Sequence, residues 1–316
     1  MANSPAPLDA RLIGGCVLFI ASVLGLFGNL TLIAVSIKNF ATFRKTAFFI
    51  ITWQLLIGDI MVILPELVIP IPIIFAGYGV HGASVFAMIM ANMDTVGFMC
   101  NQYFALLLIL NRFCIFCFPQ LNGILFGRRS VLVTAIIFWL YIFGRTLFTV
   151  LAGCVKLFDS NYFFFKYNCT NAIGVAKKIS QWTKYESYYL PGVMFFSFTL
   201  LSFARFIMSC GLSLVKLGTK TGNKKLRIEK KLLIQSILIC GMLQIESLSF
   251  AIVSKIKIPA PGSYYLSFLT SLIVIANSSI HPFVLFTFNT DATGIKKLLE
   301  ERNASQELIS VHAQLR

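Results

Sequence analysis

Four acidic residues interrupt stretches of the chain that are otherwise apolar. Asp59 and Glu66 share one stretch, Asp94 lies in the next, and Glu246 lies in a later one. If these stretches cross a bilayer, each carboxyl group costs roughly a few kcal/mol on insertion scales. A residue kept at that cost is a candidate to bind a ligand, accept hydrogen bonds or pair with a cation inside the protein.

Helical spacing places these acids relative to one another. Asp59 and Glu66 are seven residues apart, so they share one helix face about two turns apart. Asp94 precedes Arg112 by 18 residues, which is about five turns and about 27 Å along a helix. With Arg112 at an inner end, Asp94 faces the same interior in the outer half, where it would give a cavity an acidic wall.

We therefore take Glu66, Asp94 and Glu246 as candidate ligand-binding residues. Other interpretations remain open for two of them. Asp94 could form a structural hydrogen bond to a neighbouring helix or lie at a hydrated span mouth. Glu246 could be the buried partner of Gln244 or of a neighbouring helix.

Seven long apolar stretches must position these side chains. Each has roughly 20 or more mostly apolar residues, which is enough to cross about 30 Å of hydrocarbon as a helix. They cover residues 12–37, 47–76, 84–113, 131–153, 187–214, 232–253 and 263–287.

The composition also indicates a membrane protein. Of the 316 residues, 57% are hydrophobic and 12% are charged, against about 25% charged in a typical soluble domain. Backbone polar groups in lipid must be satisfied within the segment, and the stretches lack the alternation of a β-barrel, so we predict helices. The sequence predicts an all-α membrane protein, a seven-transmembrane helix bundle over residues 1–302, with a cytosolic tail over 303–316.

The net charge of +15 raises the question of a nucleic-acid partner, but the basic residues lie in loops between the spans and form no binding motif. Because Lys and Arg concentrate on the cytoplasmic side of membrane proteins, we read them as a topology signal. They favour, by about two to one, an N-terminus outside and a C-terminus in the cytosol. The bilayer, not a nucleic acid, is the expected partner.

The predicted outer loop between spans four and five has two features of its own. Asn168 opens an Asn-Cys-Thr sequon, which is a candidate glycosylation site. Cys154 and Cys169 share this loop in an oxidising compartment. They are a candidate disulfide that would hold the loop as a lid, or else two unpaired thiols.

Several prolines lie within the spans and predict kinks there. Pro65, Pro70 and Pro72 fall in the outer part of span two, Pro191 in span five and Pro282 in span seven. A channel or carrier could use such breaks and the buried acids as an ion path, and we keep a ligand-gated channel or carrier as the alternative function. No internal repeat of the kind common in transporters is visible.

Enzyme motifs are missing from the sequence. There is no GxGD pair, no HExxH and no GxSxG, which are the patterns that would place a catalytic acid pair, a metal or a serine nucleophile in a membrane enzyme. We expect no catalytic residue, no metal and no cofactor.

Six groups of residues occur in the order found in rhodopsin-like receptors, which the chain resembles over most of its length. They are Gly28-Asn29, the LxxxD run from Leu55 to Asp59, Asn111-Arg112-Phe113, Trp139, Pro191, and Asn277-Ser278 followed by His281-Pro282. Each group is weak alone, and their order makes the resemblance to G-protein-coupled receptors strong.

The sequence also departs from the main rhodopsin-like pattern. Ala87 lies where the Cys at the start of span three is expected, span six lacks CWxP, and Asn111 replaces the acid before Arg112. His281 and Leu285 replace the usual Asn and Tyr around Pro282. These changes are typical of divergent nematode serpentine receptors. The Asn-Arg-Phe group, the run from Ile115 to Pro119 and the segment from Glu229 to Ser236 resemble serpentine receptor class x.

The resemblance implies a chemosensory receptor in the plasma membrane, with sensory cilia as a site of expression. Such a receptor binds a small molecule or peptide from outside and activates a heterotrimeric G protein. Arg112 would be the inner latch and G-protein contact, and Glu229 its partner in the inactive state. Asp59 with Asn29 and Asn277 would form a polar core that rearranges on activation.

Two further expectations come from the family and from the C-terminal segment. In many amine receptors the acid at the position of Asp94 holds the ligand's cation. The segment from Thr290 to Arg302 has Ile295 and Leu298 on one face with Lys296 near headgroups, which predicts a short amphipathic helix after span seven. A solvated tail is the alternative for this segment.

Overall fold

The computed structural model describes most of the predicted bundle. The described residues are 6–38, 47–78, 84–159, 163–169, 220–253 and 262–288, with 174, 185–186, 189–193, 196, 199 and 256. Within the helices, the side chains of 116–117, 119, 220–233, 236, 285–286 and 288 lie outside the description. The segment 290–302, where an amphipathic helix is predicted, also lies outside it, as does most of span five.

The described residues form eight helices and two short strands. The helices are α1 Leu8–Lys38, α2 Ala47–Val68, α3 Pro70–Ala76, α4 Val85–Cys117, α5 Pro119–Leu125, α6 Arg128–Leu151, α7 Lys220–Val253 and α8 Gly262–Phe288. The strands are β1 Val155–Asp159 and β2 Phe164–Asn168.

Within this part of the chain, five segments are long and apolar enough to cross a membrane. They are Leu8–Lys38, Ala47–Ala76, Val85–Ile115, Arg128–Leu151 and Gly262–Val284. They coincide with predicted spans one, two, three, four and seven. The apolar part of α7, Ile237–Val253, falls within span six, and residues 189–193 of span five are helical.

The apolar core lies between the central helices, while the outer faces of the bundle stay apolar. Phe104 of α4 is fully buried and packs against Trp139 of α6, and Leu243 of α7 belongs to the same cluster. Phe27 of α1 and Leu140 of α6 are 69% exposed. Exposed large apolar side chains on helices of this length are expected where lipid, not water, is the solvent.

Close contact between α2 and α4 depends on two glycines. A Cβ on Gly97 would lie 2.7 Å from the Gly58 carbonyl oxygen, and a Cβ on Gly58 would collide with Asn101 Oδ1. Small residues let membrane helices approach closely, because little apolar driving force acts between helices in lipid. This approach brings the polar side chains of α2 and α4 within hydrogen-bonding distance.

The second span breaks where the prolines predict a kink. α2 continues through Pro65 and ends at Val68, and α3 begins at Pro70 after Ile69, at φ −108° and ψ −66°. Pro70 has no N–H to donate to the carbonyl of Glu66, so the regular hydrogen-bond ladder cannot continue. α3 then ends at Ala76, and the next residue, Gly77, caps it with a φ of 77°, in the left-handed region that favours glycine.

A β-hairpin, which the all-α expectation did not include, joins span four to span five. β1 and β2 pair antiparallel, with Lys156 opposite Tyr167 and Phe158 opposite Phe165. Both strands are rich in aromatic and aliphatic residues that suit a half-buried strand. A disulfide between Cys154 and Cys169 closes the base of the hairpin.

The hairpin lies across one end of the bundle. Phe163, after the turn, stacks on Phe268 of α8 with ring centroids 5.1 Å apart and packs edge-on to Tyr264 at 5.6 Å. Its backbone φ is 53°, a costly value for a non-glycine residue. We call this the hairpin end, where α1, α4 and α8 begin, and the opposite end the Arg112 end. In the predicted orientation, the hairpin end is outside.

Candidate functional site

A lysine of the hairpin pairs with Asp94, the candidate ligand-binding acid of span three. Lys156 is the buried residue of β1, and only 7% of it is exposed. Its Nζ donates to Asp94 Oδ2 at 2.5 Å and to Thr95 Oγ1 at 2.8 Å. Asp94 therefore has a cationic partner within the chain, and neither of the two interpretations left open for it included this partner.

Two aromatic rings of β2 complete the surroundings of the Lys156 ammonium. Nζ lies 4.7 Å from the centroid of the Phe165 ring and 5.8 Å from that of Tyr167. Rings at these distances attract a cation through their electron-rich faces. The Tyr167 hydroxyl also lies 2.9 Å from Thr95 Oγ1, so both strands of the hairpin contact the same turn of α4.

Glu66 is a second carboxyl group close to this ion pair. It is 4% exposed, and its Oε2 has no hydrogen-bond partner among the described residues. The charges of Asp94 and Lys156 both act on it. Glu66 of α2 and Asp94 of α4 therefore interact electrostatically, and an acidic wall of an outer cavity stays a prediction.

Glu246, the third candidate, bonds to a neighbouring helix. The Nδ2 of Asn277 on α8 donates to Glu246 Oε2 on α7 at 2.6 Å, and both residues are buried. Asn277 thus contacts Glu246, whereas the resemblance placed it with Asp59 and Asn29. The charges of Asp94, Glu66 and Asp59 all act on Glu246, so the four acids share one electrostatic environment.

Asp59 is the centre of a buried polar group that joins three helices. Asn101 Nδ2 of α4 donates to Asp59 Oδ1 at 2.8 Å, and His281 Nδ1 of α8 lies 2.7 Å from Asp59 Oδ2. The side chains of Asp59 and His281 are 0% and 1% exposed. The Nε2 of His281 is buried without a hydrogen-bond partner in the described part of the chain.

Asn29 joins the first span to the seventh beside this group. Its Nδ2 donates to the carbonyl oxygens of Gly25 and Ser278, each at 3.0 Å. A Cβ on Gly28 would lie 3.4 Å from Pro282 Cγ, so the Gly-Asn pair of α1 faces the segment that contains Ser278 and Pro282. These backbone contacts connect Asn29 to α8 and not directly to Asp59.

Arg112 packs on an aromatic ring at the opposite end. Its guanidinium carbon lies 4.4 Å from the centroid of the Phe48 ring of α2, and the residue is 6% exposed. Glu229, its predicted partner, belongs to α7, but its side chain lies outside the described residues. Asn111 Nδ2 donates to Asn122 Oδ1 of α5 at 3.1 Å, so the residue that replaces the usual acid links α4 to α5.

Several residues of these sites were not predicted from the sequence. Lys156 counted only as a loop charge, and Thr95, Tyr167 and Asn101 were not singled out. For Lys156 a signal exists, because a strand that begins just after Cys154 gives the lysine an inward position by alternation. For Asn101, an amide in an apolar span is itself the signal.

The hairpin also contains the two candidate modifications. Cys154 and Cys169 form the disulfide described above, with Cα atoms 4.2 Å apart. Asn168, at the end of β2, is exposed, and Thr170 of its sequon lies outside the described residues. Glycosylation of Asn168 stays a prediction.

A comparison of the sequence with protein families decides the class of this chain. The family model described as "Serpentine type 7TM GPCR chemoreceptor Srx" matches residues 19–289. The chain belongs to the Srx chemoreceptor family. Membership makes the chain a chemosensory G-protein-coupled receptor, which is a multi-pass membrane protein and not an enzyme.

The fold of this Srx receptor is similar to that of a solved rhodopsin. The crystal structure of squid rhodopsin superposes with a TM-score of 0.68 at 13% sequence identity, and the match covers 94% of this chain and 88% of the squid chain. Identity this low shows the fold alone. No curated protein sequence matches the chain. Neither the family nor the fold supports the channel or carrier alternative.

Proposed function

We propose that this Srx receptor binds a small molecule or peptide at its hairpin end and activates a heterotrimeric G protein at its Arg112 end. The observation that carries the proposal is a set of three separate polar contacts between helices and hairpin inside the bundle. They are the Lys156–Asp94 ion pair, the Glu246–Asn277 hydrogen bond, and the contacts of Asp59 with Asn101 and His281.

The ligand would contact Asp94 and Glu66, with Glu246 below them. A ligand shifts the balance between two arrangements of the bundle only by its difference in affinity for them. Contacts near the hairpin meet this condition, because the hairpin holds α4 through Asp94 and holds α8 through Phe163. A ligand that changes either contact changes how the helices are held together.

α8 would transmit the change toward the G protein. Three of its residues form hydrogen bonds to other helices: Asn277 to α7, Ser278 to α1 and His281 to α2. Pro282 lies within α8 and lacks the N–H of a regular helix position, which makes this turn a natural hinge. A small movement of α8 therefore alters three interhelical contacts at once.

At the Arg112 end, release of Arg112 from the Phe48 ring would expose its guanidinium to the G protein. Glu229, at the base of span six, would hold Arg112 in the inactive arrangement. The basic residues between predicted spans five and six, 215–231, would add an electrostatic surface for the same partner. Residues 220–231 of this segment, predicted as loop, are the first part of α7 in the structure.

A signalling assay tests this function. Cells that display the full chain are screened with small volatiles, amines and peptides, and a second messenger is measured at known surface expression. We expect at least one agonist whose signal is lost in Arg112→Ala while ligand binding remains. An agonist-evoked ionic current that persists without G protein would contradict the proposal.

The orientation has a separate test. We propose that the receptor resides in the plasma membrane, including sensory cilia, with its N-terminus outside. Treatment with a glycosidase should then change the mobility of the wild-type protein and leave Asn168→Gln unchanged. Asn303→Gln, which removes the sequon of the predicted cytosolic tail, is the control and should behave as wild type. A glycan on Asn303 would reverse the topology.

A further inference from the structure

We propose that Asp94, Thr95, Phe165 and Tyr167 form an ammonium-binding site that Lys156 occupies within the receptor itself. A ligand with a primary ammonium group binds by displacing Lys156 from this site. The inference rests on the proposed function for its physiological role. To the cation that amine receptors suggest for Asp94, it adds the other groups of the site and the lysine of the receptor with which the ligand competes.

The hairpin delivers Lys156 to the bundle interior. Cys154, two residues before it, is tied to Cys169, and Tyr167 pairs with Lys156 across the strands. Lys166, on the same hairpin, behaves as a lysine usually does, with its side chain 54% exposed while it pairs with Asp159 at 3.1 Å. The two lysines differ because alternation along the strands sends one toward α4 and the other toward the surface.

The surroundings of Lys156 Nζ match the needs of a primary ammonium. Such a group has three N–H donors and no acceptor. Here it meets a carboxylate oxygen at 2.5 Å, a hydroxyl at 2.8 Å and the faces of two aromatic rings. Carboxylate and ring faces both favour positive charge, so the site selects a cation and gives no equivalent interaction to a neutral or anionic group.

Exchange of one ammonium for another keeps the charges balanced. Removing Lys156 without a replacement would leave Asp94, whose side chain is 13% exposed, as a largely buried charge without this partner, which is unfavourable. A ligand ammonium restores the pair. The charges of Asp94 and Lys156 act on Glu66, whose Oε2 has no hydrogen-bond partner among the described residues, so we expect Glu66 to interact with the rest of the ligand. The freed lysine leaves on its long, flexible stem, while β2 keeps Phe165 and Tyr167 at the site.

Displacement also gives the ligand a mechanical effect. Lys156 and Tyr167 both contact Thr95, so the hairpin is held on α4 at this turn. The same helix contains Asn101, which donates a hydrogen bond to Asp59, and Arg112, which packs on the Phe48 ring. A ligand that takes the place of Lys156 therefore removes the Lys156 contact with Thr95 while Tyr167 keeps its own, which loosens α4 from the hairpin at the point where binding occurs.

Self-occupation predicts a measurable competition. Apparent affinity falls in proportion to the fraction of receptor whose site is free. If Lys156 fills the site in about nine molecules of ten, its removal raises the apparent affinity for a small amine about tenfold.

The test uses n-propylammonium chloride, which replaces the part of the lysine side chain that Lys156→Ala removes. Thermal unfolding of the purified full-length receptor is followed in detergent as the amine is added, with sodium chloride and n-propanol as controls for ionic strength and shape. Lys166→Ala is the matched control variant. Lys156→Ser serves in the same comparison if the alanine variant is not recovered.

We expect a lower unfolding temperature for Lys156→Ala and a saturable increase with n-propylammonium that the salt and the alcohol do not reproduce. Wild type and Lys166→Ala should respond only at concentrations about tenfold higher or more. Adding Asp94→Asn to Lys156→Ala should remove the response. Equal responses of wild type and Lys156→Ala, or a response that survives loss of the Asp94 carboxylate, overturn the proposal.

Because this readout is binding without signalling, the two proposals fail separately. Saturable amine binding by Lys156→Ala in a receptor that evokes no second messenger upholds the ammonium site and counts against the proposed signalling.

Discussion

Asp59 and His281 are 222 positions apart in the chain, yet Asp59 Oδ2 and His281 Nδ1 lie 2.7 Å apart in the buried interior. The contact ties α2 to α8. The other Asp59 oxygen accepts from Asn101 of α4, so one carboxyl group holds three helices. A carboxyl group in this environment depends on its partners, because its transfer from water has no other compensation.

Replacement of His281 should show this dependence. His281→Leu leaves Asp59 with one described partner, and we expect the free energy of unfolding to fall by about 1–3 kcal/mol, the cost of leaving a buried polar group without its hydrogen bond. His281→Asn keeps a donor and should lose less. Thermal unfolding of the purified receptor measures both. Equal losses for the two variants would show that the side-chain volume, not the hydrogen bond, is what stabilises this site.

The Glu246–Asn277 contact should restrain α7 against α8. Glu246→Leu leaves the buried Asn277 amide without this acceptor, which costs about 1–3 kcal/mol, and we expect higher ligand-independent signalling because the two helices are no longer held together. Glu246→Gln retains an acceptor oxygen and should stay close to wild type. Basal second messenger, normalised to surface expression, is the measurement. A silent Glu246→Leu at normal expression contradicts the restraint.

Gly97 should tolerate no side chain where α4 crosses α2. A Cβ there would lie 2.7 Å from the backbone oxygen of Gly58, so Gly97→Ala must move a helix, at a cost of about 1–3 kcal/mol. Gly144→Ala is the control, since nothing lies within 4 Å of its added Cβ and alanine favours a helix by about 1 kcal/mol. Unfolding temperatures should move in opposite directions, and a stabilised Gly97→Ala would refute the close packing.

Cys154 and Cys169 should contribute to stability as one unit. It closes a loop of 15 residues in sequence separation, for which the chain-entropy estimate is about 3 kcal/mol. Cys154→Ser, Cys169→Ser and the double variant should therefore lower the unfolding temperature by similar amounts, since loss of either sulfur loses the whole bond. Cys16→Ser, which alters an exposed free cysteine, is the control. Additive losses would mean that the thiols act independently.

Much of the bundle could be predicted from the sequence because the bilayer imposes a strong constraint. Long apolar runs fix where helices can cross, and Pro70 fixes where span two breaks, since a residue without an N–H cannot continue the ladder. The hairpin was harder to predict, because five-residue strands in a loop carry little periodic signal. Its strand identity depends on pairing between β1 and β2, which is not a local property.

The partners of the buried polar residues could not be predicted from the sequence either. Asp94 was recognisable as an expensive acid, but the identity of its partner, Lys156, depends on how a hairpin 62 residues further along the chain lies on α4. In the same way, Asn277 lies in a motif that suggested Asp59, and the packing of α7 against α8 brought Glu246 to it instead.

The amino-acid sequence by itself determined that this chain is a helical membrane bundle with acids at a few interior positions, because solvent and composition decide both. Only the tertiary structure decided which groups neutralise those acids. Hydrogen bonds and ion pairs reach about 3 Å, so partner choice depends on helix packing, on glycines such as Gly97 that permit it, and on where the hairpin places Lys156.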